Sequence, residues 1–175
     1  LMNGTIEVSS EKGKGTEFII LFSFPRVKKN IKSSRKVPKR EFTSLKGTSI
    51  LLVEDNHFNR ELAVETLMDM GAIVETAEDG SVALEKITAE DSGKYDLVLM
   101  DIQTPVMDGY EATKKIRSLK NKKKAALPII AMTANAFEED RKLALQAGMD
   151  AHMAKPIQFD MLFEVMDSIL KGRKN

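Results

Sequence analysis

From Thr48 onward, short apolar runs alternate with longer stretches whose apolar residues recur every three or four positions. That alternation is the pattern of a parallel α/β sheet. Residues 49–53 read as a first strand, followed by a helix that starts near Asn56, turns Phe58, Leu62, Leu67 and Met70 inward and stops at Gly71. Residues 72–77 alternate like an edge strand, and residues 79–90 form a helix with Val82, Leu84 and Ile87 as its apolar positions. Residues 96–101 are a third strand, with a helix around 110–119 bringing Ala112, Ile116 and Leu119 into register. Residues 120–124 read as a solvated loop, 128–132 as a fourth strand, and 137–146 as a helix ending at Gly148. Residues 149–153 are a mixed fifth strand, and Met161, Leu162, Val165, Met166, Ile169 and Leu170 make one face of a closing helix.

Strands one, three and four are nearly all apolar, as strands buried on both faces are, whereas two and five are mixed. The predicted fold is therefore a flavodoxin-like (βα)5 doubly wound parallel sheet of order 2-1-3-4-5. Upstream, residues 5–9 alternate, 11–15 form a glycine-rich turn and 17–22 are strongly β-forming, so an N-terminal β-hairpin is expected. A lone hairpin buries too little to be stable and must lean on something or fray. The chain thus divides into a hairpin at 1–25, a linker at 26–47 and the α/β domain at 48–175.

Composition sharpens this division. The chain has 175 residues, 42% hydrophobic and 30% charged, as a globular protein with a real core does. Its net charge of +1 hides a split: residues 26–46 hold nine Lys/Arg against Glu41 alone, so the remainder is acidic. Nucleic-acid binding is therefore not expected, and the basic run is read as a solvated linker. No apolar run approaches a membrane span, no signal peptide is evident, and there are no cysteines. A cytoplasmic location with no membrane contact in this stretch is the expectation.

The candidate chemistry lies where the strands end. Glu54-Asp55, Asp101, Thr133 and Lys155 each close an apolar run, and right-handed crossovers place those ends on one rim of the sheet. Three carboxylates together repel one another unless protonated or occupied by a cation. Oxygen-only ligands favour a hard ion, and Mg²⁺ with several retained waters suits so few carboxylates. With a hydroxyl from Thr133 and an ammonium from Lys155, the set would accept a phosphoryl group on a carboxylate.

Here residues 48 to 172 resemble a response-regulator receiver domain, through "ILLVEDN", "DLVLMDIQTPVMDGYEATKKIR", "LPIIAMTANAF" and "AKPI". The resemblance implies that Asp101 is the phosphoacceptor, and that Asp55, Glu54 and the Gln103 backbone carbonyl hold Mg²⁺ with it. It also implies that Lys155 pairs with the phosphoryl group and that Thr133 and His152 form a switch. Gln103 and Asn135 would tune acyl-phosphate lifetime, and the Lys155-Pro156 step is often cis. Thr104 departs from the family, which usually carries Met there, and little effect is expected. The "VEDNHFNR" and "MTANAF" variants resemble receivers of hybrid sensor kinases. Residues 2–25, "MNGTIEVSSEKGKGTEFIILFSFP", resemble the last hairpin of a histidine kinase ATP-binding domain whose nucleotide-binding boxes are absent from this stretch.

The reading implied is a phosphorelay switch that takes its phosphoryl group from a phosphohistidine on a histidine kinase or histidine phosphotransfer domain. The parent would be a kinase, itself open to membrane anchoring, whereas this stretch is a phosphoacceptor without an ATP site. Only four residues follow Lys171, so no DNA-binding output is expected, and self-association through edge strands stays open. An aspartyl phosphatase of haloacid dehalogenase type would want an acid where Gln103 stands. A phosphate-independent pseudo-receiver would be expected to have lost Asp55, Asp101 or Lys155, and all three are present. His57 is expected to face solvent, Asp108 to cap a helix, Tyr110 and Glu111 to lie on a helix surface, and the methionines to pack.

Overall fold

The computed structural model describes residues 4–22, 45–89, 94–134 and 138–172. The chain separates into two compact units, Leu1–Arg40 and Glu41–Asn175. In the first, β1 (Gly4–Glu11) and β2 (Gly15–Phe22) form the expected hairpin, antiparallel with Gly4 opposite Phe22 and Glu11 opposite Gly15. Gly13 and Gly15 take positive φ in its turn, a conformation that costs glycine nothing. Residues 23–44, which include most of the expected linker, lie outside the described residues.

In the second unit a five-stranded parallel sheet carries helices on both faces. Its strands are β3 (Ser49–Val53), β4 (Ile73–Ala77), β5 (Leu97–Asp101), β6 (Ile129–Thr133) and β7 (Ala151–Ala154). They lie in the order β4-β3-β5-β6-β7, which is the predicted 2-1-3-4-5. The helices are α1 (His57–Asp69), α2 (Gly80–Thr88), α3 (Gly109–Arg117), α4 (Lys122–Ala125), α5 (Glu138–Ala147) and α6 (Phe159–Gly172).

Alternate side chains along each strand feed two cores. Leu51, Val53, Val98, Met100, Ile129 and Ala131 pack under α2, α3 and α5. Ile50, Leu52, Leu97, Leu99, Ile130 and Met132 pack under α1 and α6. The three central strands serve both, which is why they carry scarcely a polar residue before their last position.

Helix ends follow local rules. Asn56, Asp79, Asp108 and Asn121 accept from backbone N–H groups as N-caps. Gly71 and Gly148 take positive φ immediately after α1 and α5.

Four expectations change. Phe58 and Leu62 are 80% and 60% exposed, because α1 buries Ala63 alongside the expected Leu67. Met161 is likewise exposed, and Leu162, Phe163 and Met166 form the buried stripe of α6. The solvated loop at 120–124 contains α4, nucleated by Asn121, whose side chain accepts from Lys123 and Lys124 N–H. Leu45, counted with the linker, is buried against the α1 side of the sheet, and its N–H donates to the Met70 carbonyl.

Two polar clusters staple the periphery. Arg117 at the end of α3 donates to the carbonyls of Gly148, Ala125 and Leu127 and pairs with Asp150, each at 2.8 Å. On edge strand β4, Glu75 meets Lys86 at 2.6 Å, Lys94 at 2.5 Å and the Tyr95 hydroxyl at 2.7 Å. The Lys86, Lys94 and Tyr95 hydrogen bonds pull the Glu75 carboxyl down to about 2. Burial, with Glu75 beside it, pushes the Tyr95 hydroxyl up to about 12.

Arg117→Ala is expected to cost about 1–3 kcal/mol in urea unfolding, since it leaves three part-buried carbonyls without this donor. Because the folded Glu75 pKa lies below its ordinary 4.5, its contribution is complete above that pH and is lost as pH falls toward about 2. Glu75→Gln should therefore lower stability by roughly 1 kcal/mol at pH 7, with the difference from the parent vanishing near pH 2.

Candidate functional site

Parallel strands end on one rim, and three of the central strands deliver the predicted groups there. Glu54 follows β3, Asp101 closes β5 and Thr133 closes β6, while Lys155 follows edge strand β7. One carboxylate oxygen from each of Glu54, Asp55 and Asp101 lies within 4.8 Å of the other two. Glu54 and Asp101 are 1% and 3% exposed, and Asp55 is exposed.

Two buried carboxylates need a countercharge, and Lys155 supplies it. Its ammonium lies 2.5 Å from Glu54 Oε2 and 2.5 Å from Asp101 Oδ2. Burial works against that ammonium, yet the hydrogen bonds it donates to Asp101 and Glu54 outweigh it and raise the Lys155 pKa. Burial raises the Asp101 carboxyl above the usual carboxylate range, although Lys155 pulls the other way. The peptide bond after Lys155, to Pro156, is cis.

The first turn of α1 holds the acidic pair. Asn59 donates to Glu54 Oε1 at 3.1 Å, and Arg60 donates to the carbonyls of Glu54 at 2.7 Å and Asp55 at 3.1 Å. Sequence reasoning passed over Asn59 and Arg60. Their signal was position: five and six residues beyond Glu54, they sit where the first helical turn passes back over the strand end.

The loop after Asp101 is tightly tied. The Gln103 N–H donates to Asp101 Oδ1 at 3.1 Å, and Thr104 Oγ1 donates to the Met107 carbonyl at 2.7 Å. Gly80 N–H also reaches that carbonyl, at 3.1 Å. Between them Val106 sits at φ 62° and 87% exposed, a strained conformation for a β-branched residue. Asp108 caps α3 as expected, accepting from Glu111 N–H at 2.7 Å. A Cβ on Gly109 would meet the Asp101 carbonyl oxygen at 2.5 Å, so only glycine lets α3 start this close to the strand.

The remaining predicted residues are placed as follows. Thr133 is buried, and its backbone carbonyl accepts from Lys155 N–H at 2.7 Å. His152 on β7 pairs with Ala131, and Thr133 with Ala154, so Thr133 and His152 face the same side of the sheet, toward α5. His57 is exposed, 3.6 Å from Glu61. Asn135 lies outside the described residues.

The donor set tests what the rim could hold. Three carboxylates without a cysteine or histidine among them suit a hard divalent cation, and one exposed member, Asp55, leaves it open to solvent. Glu54 and Asp101, held by Lys155 and Asn59, are already oriented to receive it. The residues fit Mg²⁺.

An open α/β sheet with an acidic, lysine-bearing rim at its strand ends defines a flavodoxin-like protein built for phosphate chemistry. The response regulator receiver domain family matches residues 50–167. The chain belongs to that family. It is 35% identical to the hybrid signal transduction histidine kinase L of Dictyostelium discoideum over 178 residues, covering 99% of this chain and 10% of that protein. The chain spans 10–20% of the length of the curated relatives it matches, several of them sensor or hybrid histidine kinases.

Among solved structures, it is similar to the receiver domain of a sensor histidine kinase of Pseudomonas aeruginosa, which holds a magnesium ion in its active-site cleft. The identity is 40%, the TM-score 0.59, and the match covers 71% of this chain and 95% of that one. It is also similar, at 28% identity and TM-score 0.61, to a Saccharomyces cerevisiae response-regulator receiver domain crystallised with a histidine phosphotransfer protein, over 67% and 84% of the two chains.

Lys155→Met leaves two buried carboxylates facing each other without a cation. It is expected to lower the unfolding free energy by about 3–5 kcal/mol in metal-free urea titrations at pH 7.

Proposed function

We propose that this chain is the receiver of a hybrid histidine kinase and that Asp101 accepts a phosphoryl group from a phosphohistidine donor. The observation that carries this reading is Lys155 bridging two buried carboxylates at 2.5 Å beside a third, on the rim that α/β folds use for ligands. Asp101 Oδ attacks phosphorus as the P–N bond to the donor imidazole breaks, and the departing imidazole takes up a proton. Lys155 swings its ammonium from carboxylate to phosphoryl oxygen, and Thr133 donates its hydroxyl to another. His152, on the same side of the sheet as Thr133, follows that movement as the second half of the switch.

Asp55, Asp101, Glu54 and the Gln103 backbone carbonyl would hold Mg²⁺, which when bound neutralises the charge gathering on the phosphoryl oxygens. Asn59 and Arg60 keep the acidic pair in position for it.

The donor is a histidine kinase or a histidine phosphotransfer domain, a reading supported by the yeast receiver crystallised with such a protein. Residues 1–25 are the closing hairpin of the parent kinase's ATP-binding domain, 26–47 a basic linker and 48–175 the receiver. Support for that layout comes from the Dictyostelium kinase, to which 99% of the chain aligns. We place the receiver's site of action in the cytoplasm, whether or not the parent is anchored in a membrane.

Intact mass after incubation with Mg²⁺ and acetyl phosphate tests the assignment. The parent should gain one phosphoryl group, and Asp101→Asn, or the parent with chelator, should gain none. A gain that persists in Asp101→Asn would move the acceptor to another residue. Independently, Mg²⁺ should raise the melting temperature of the parent and leave that of Asp55→Asn almost unchanged, because an ion held only by the folded state stabilises it.

A further inference from the structure

The peptide between Gln103 and Thr104 carries the backbone carbonyl that the proposed site offers to Mg²⁺. Upstream of it, the Gln103 N–H donates to Asp101 Oδ1 at 3.1 Å, and the Ile102 N–H donates to the Met132 carbonyl of β6 at 3.0 Å. Downstream, Pro105 restricts Thr104 to extended backbone. The loop then closes on itself, because the Gly109 N–H donates to the Ile102 carbonyl at 3.0 Å. A peptide group is planar, so fixing the residues on either side of it fixes the direction of its carbonyl. Gln103 is tied by its own N–H, and the question is what ties Thr104.

Inside the loop the ties converge on the Met107 carbonyl. It accepts from Thr104 Oγ1 at 2.7 Å and from the Gly80 N–H, at the start of α2, at 3.1 Å. The Met107 N–H in turn donates to the Pro105 carbonyl at 2.6 Å, which makes a γ-turn centred on Val106 at φ 62°. A γ-turn with positive φ is rare and strained, and a β-branched residue at its centre adds to the cost. Such strain persists only where neighbouring groups hold it, and here the holders are the two donors on the Met107 carbonyl. Gly80 is fixed from outside the loop: a Cβ there would meet the Met107 carbonyl oxygen at 2.7 Å, so α2 comes no nearer. Thr104 is the donor within the loop, and its stiff β-branched side chain has few rotamers to lose in making the bond. Gln103, Pro105 and Val106 are all exposed, so packing does not take the place of that hydroxyl.

We infer that Thr104 is a positioning residue for the metal: its hydroxyl, tied to the Met107 carbonyl, holds the Gln103–Thr104 peptide in the orientation from which the Gln103 carbonyl reaches Mg²⁺. The hydroxyl itself touches neither the ion nor the phosphoryl group and acts through the backbone. Beside the site, Thr104 was expected to have little effect, and the contact with Met107 is what gives it one. The inference rests on the reading of Glu54, Asp55, Asp101 and the Gln103 carbonyl as the Mg²⁺ site.

The test is a Mg²⁺ titration of the full 175-residue chain followed by amide NMR shifts, with Thr104→Val, Thr104→Ser and Asp55→Asn alongside. Valine keeps the shape of threonine without its hydroxyl, and serine keeps the hydroxyl without the methyl group. Before Mg²⁺ is added, Thr104→Val should show the dispersed spectrum of the parent, with changes confined to the loop and to Gly80. Its dissociation constant for Mg²⁺ should then rise about tenfold, the lower end of what lost outer-shell partners cost a metal site, whereas Thr104→Ser should stay within about twofold of the parent. A Thr104→Val variant that binds Mg²⁺ as the parent does would overturn the inference and leave the metal site standing. Equal weakening in the valine and serine variants would also overturn it, by assigning the effect to the methyl group, and so would collapse of the metal-free Thr104→Val spectrum, which would make Thr104 a residue of the fold. A parent that does not bind Mg²⁺, or an Asp55→Asn variant that binds it as tightly, would instead remove the metal site itself and the inference with it.

Discussion

One ammonium group organises the receiver's chemistry. Lys155 stands between Glu54 and Asp101, and without it two carboxylates would face each other in a place where neither is solvated. That requirement explains the surrounding scaffold. Lys155 is aimed at the cluster from the end of edge strand β7, and Asn59 and Arg60 hold the acidic pair from the far side. The site is therefore poised: it holds negative charge ready for a cation, while an internal cation keeps the protein folded in the meantime.

The loop after Asp101 belongs to the same logic. Its backbone is pinned by Thr104, Gly80 and the close start of α3 at Gly109, so the acceptor carboxylate rests on a backbone with little room to shift. Val106 bears the conformational cost of that tightness on an exposed turn. Strain of this kind persists only where the surroundings over-determine the backbone.

Much of this was legible in the sequence, and the reasons are physical. A strand buried on both faces has to be nearly all apolar, so the three central strands, and the polar residues at or just after their ends, stand out in the sequence. Helix faces were less legible. Phe58 and Leu62 have the spacing of a core stripe shared with Leu67, but so does Ala63, and only packing decides which of them joins Leu67 inside. Leu45 was hidden because a single apolar residue beside a basic run carries no periodicity. Arg117 was hidden because a carbonyl-capping arginine looks in sequence like any helix-end cation. Asn59 and Arg60 were missed for a related reason: their importance lies in the turn of α1 passing over Glu54, a geometric fact that spacing only hints at.

The distance along the chain between the groups that meet at the rim has a consequence for how the site comes into being. Lys155 and Asp101 are 54 residues apart in sequence, and the strands that carry them are separated by a third, β6. No local segment holds both the acceptor carboxylate and its lysine. Contacts of such long range form late and together, because the entropy of closing the intervening chain is not offset until the sheet is nearly complete. Competence to react is therefore a property of the finished sheet, and a nascent or partly unfolded receiver is silent by construction.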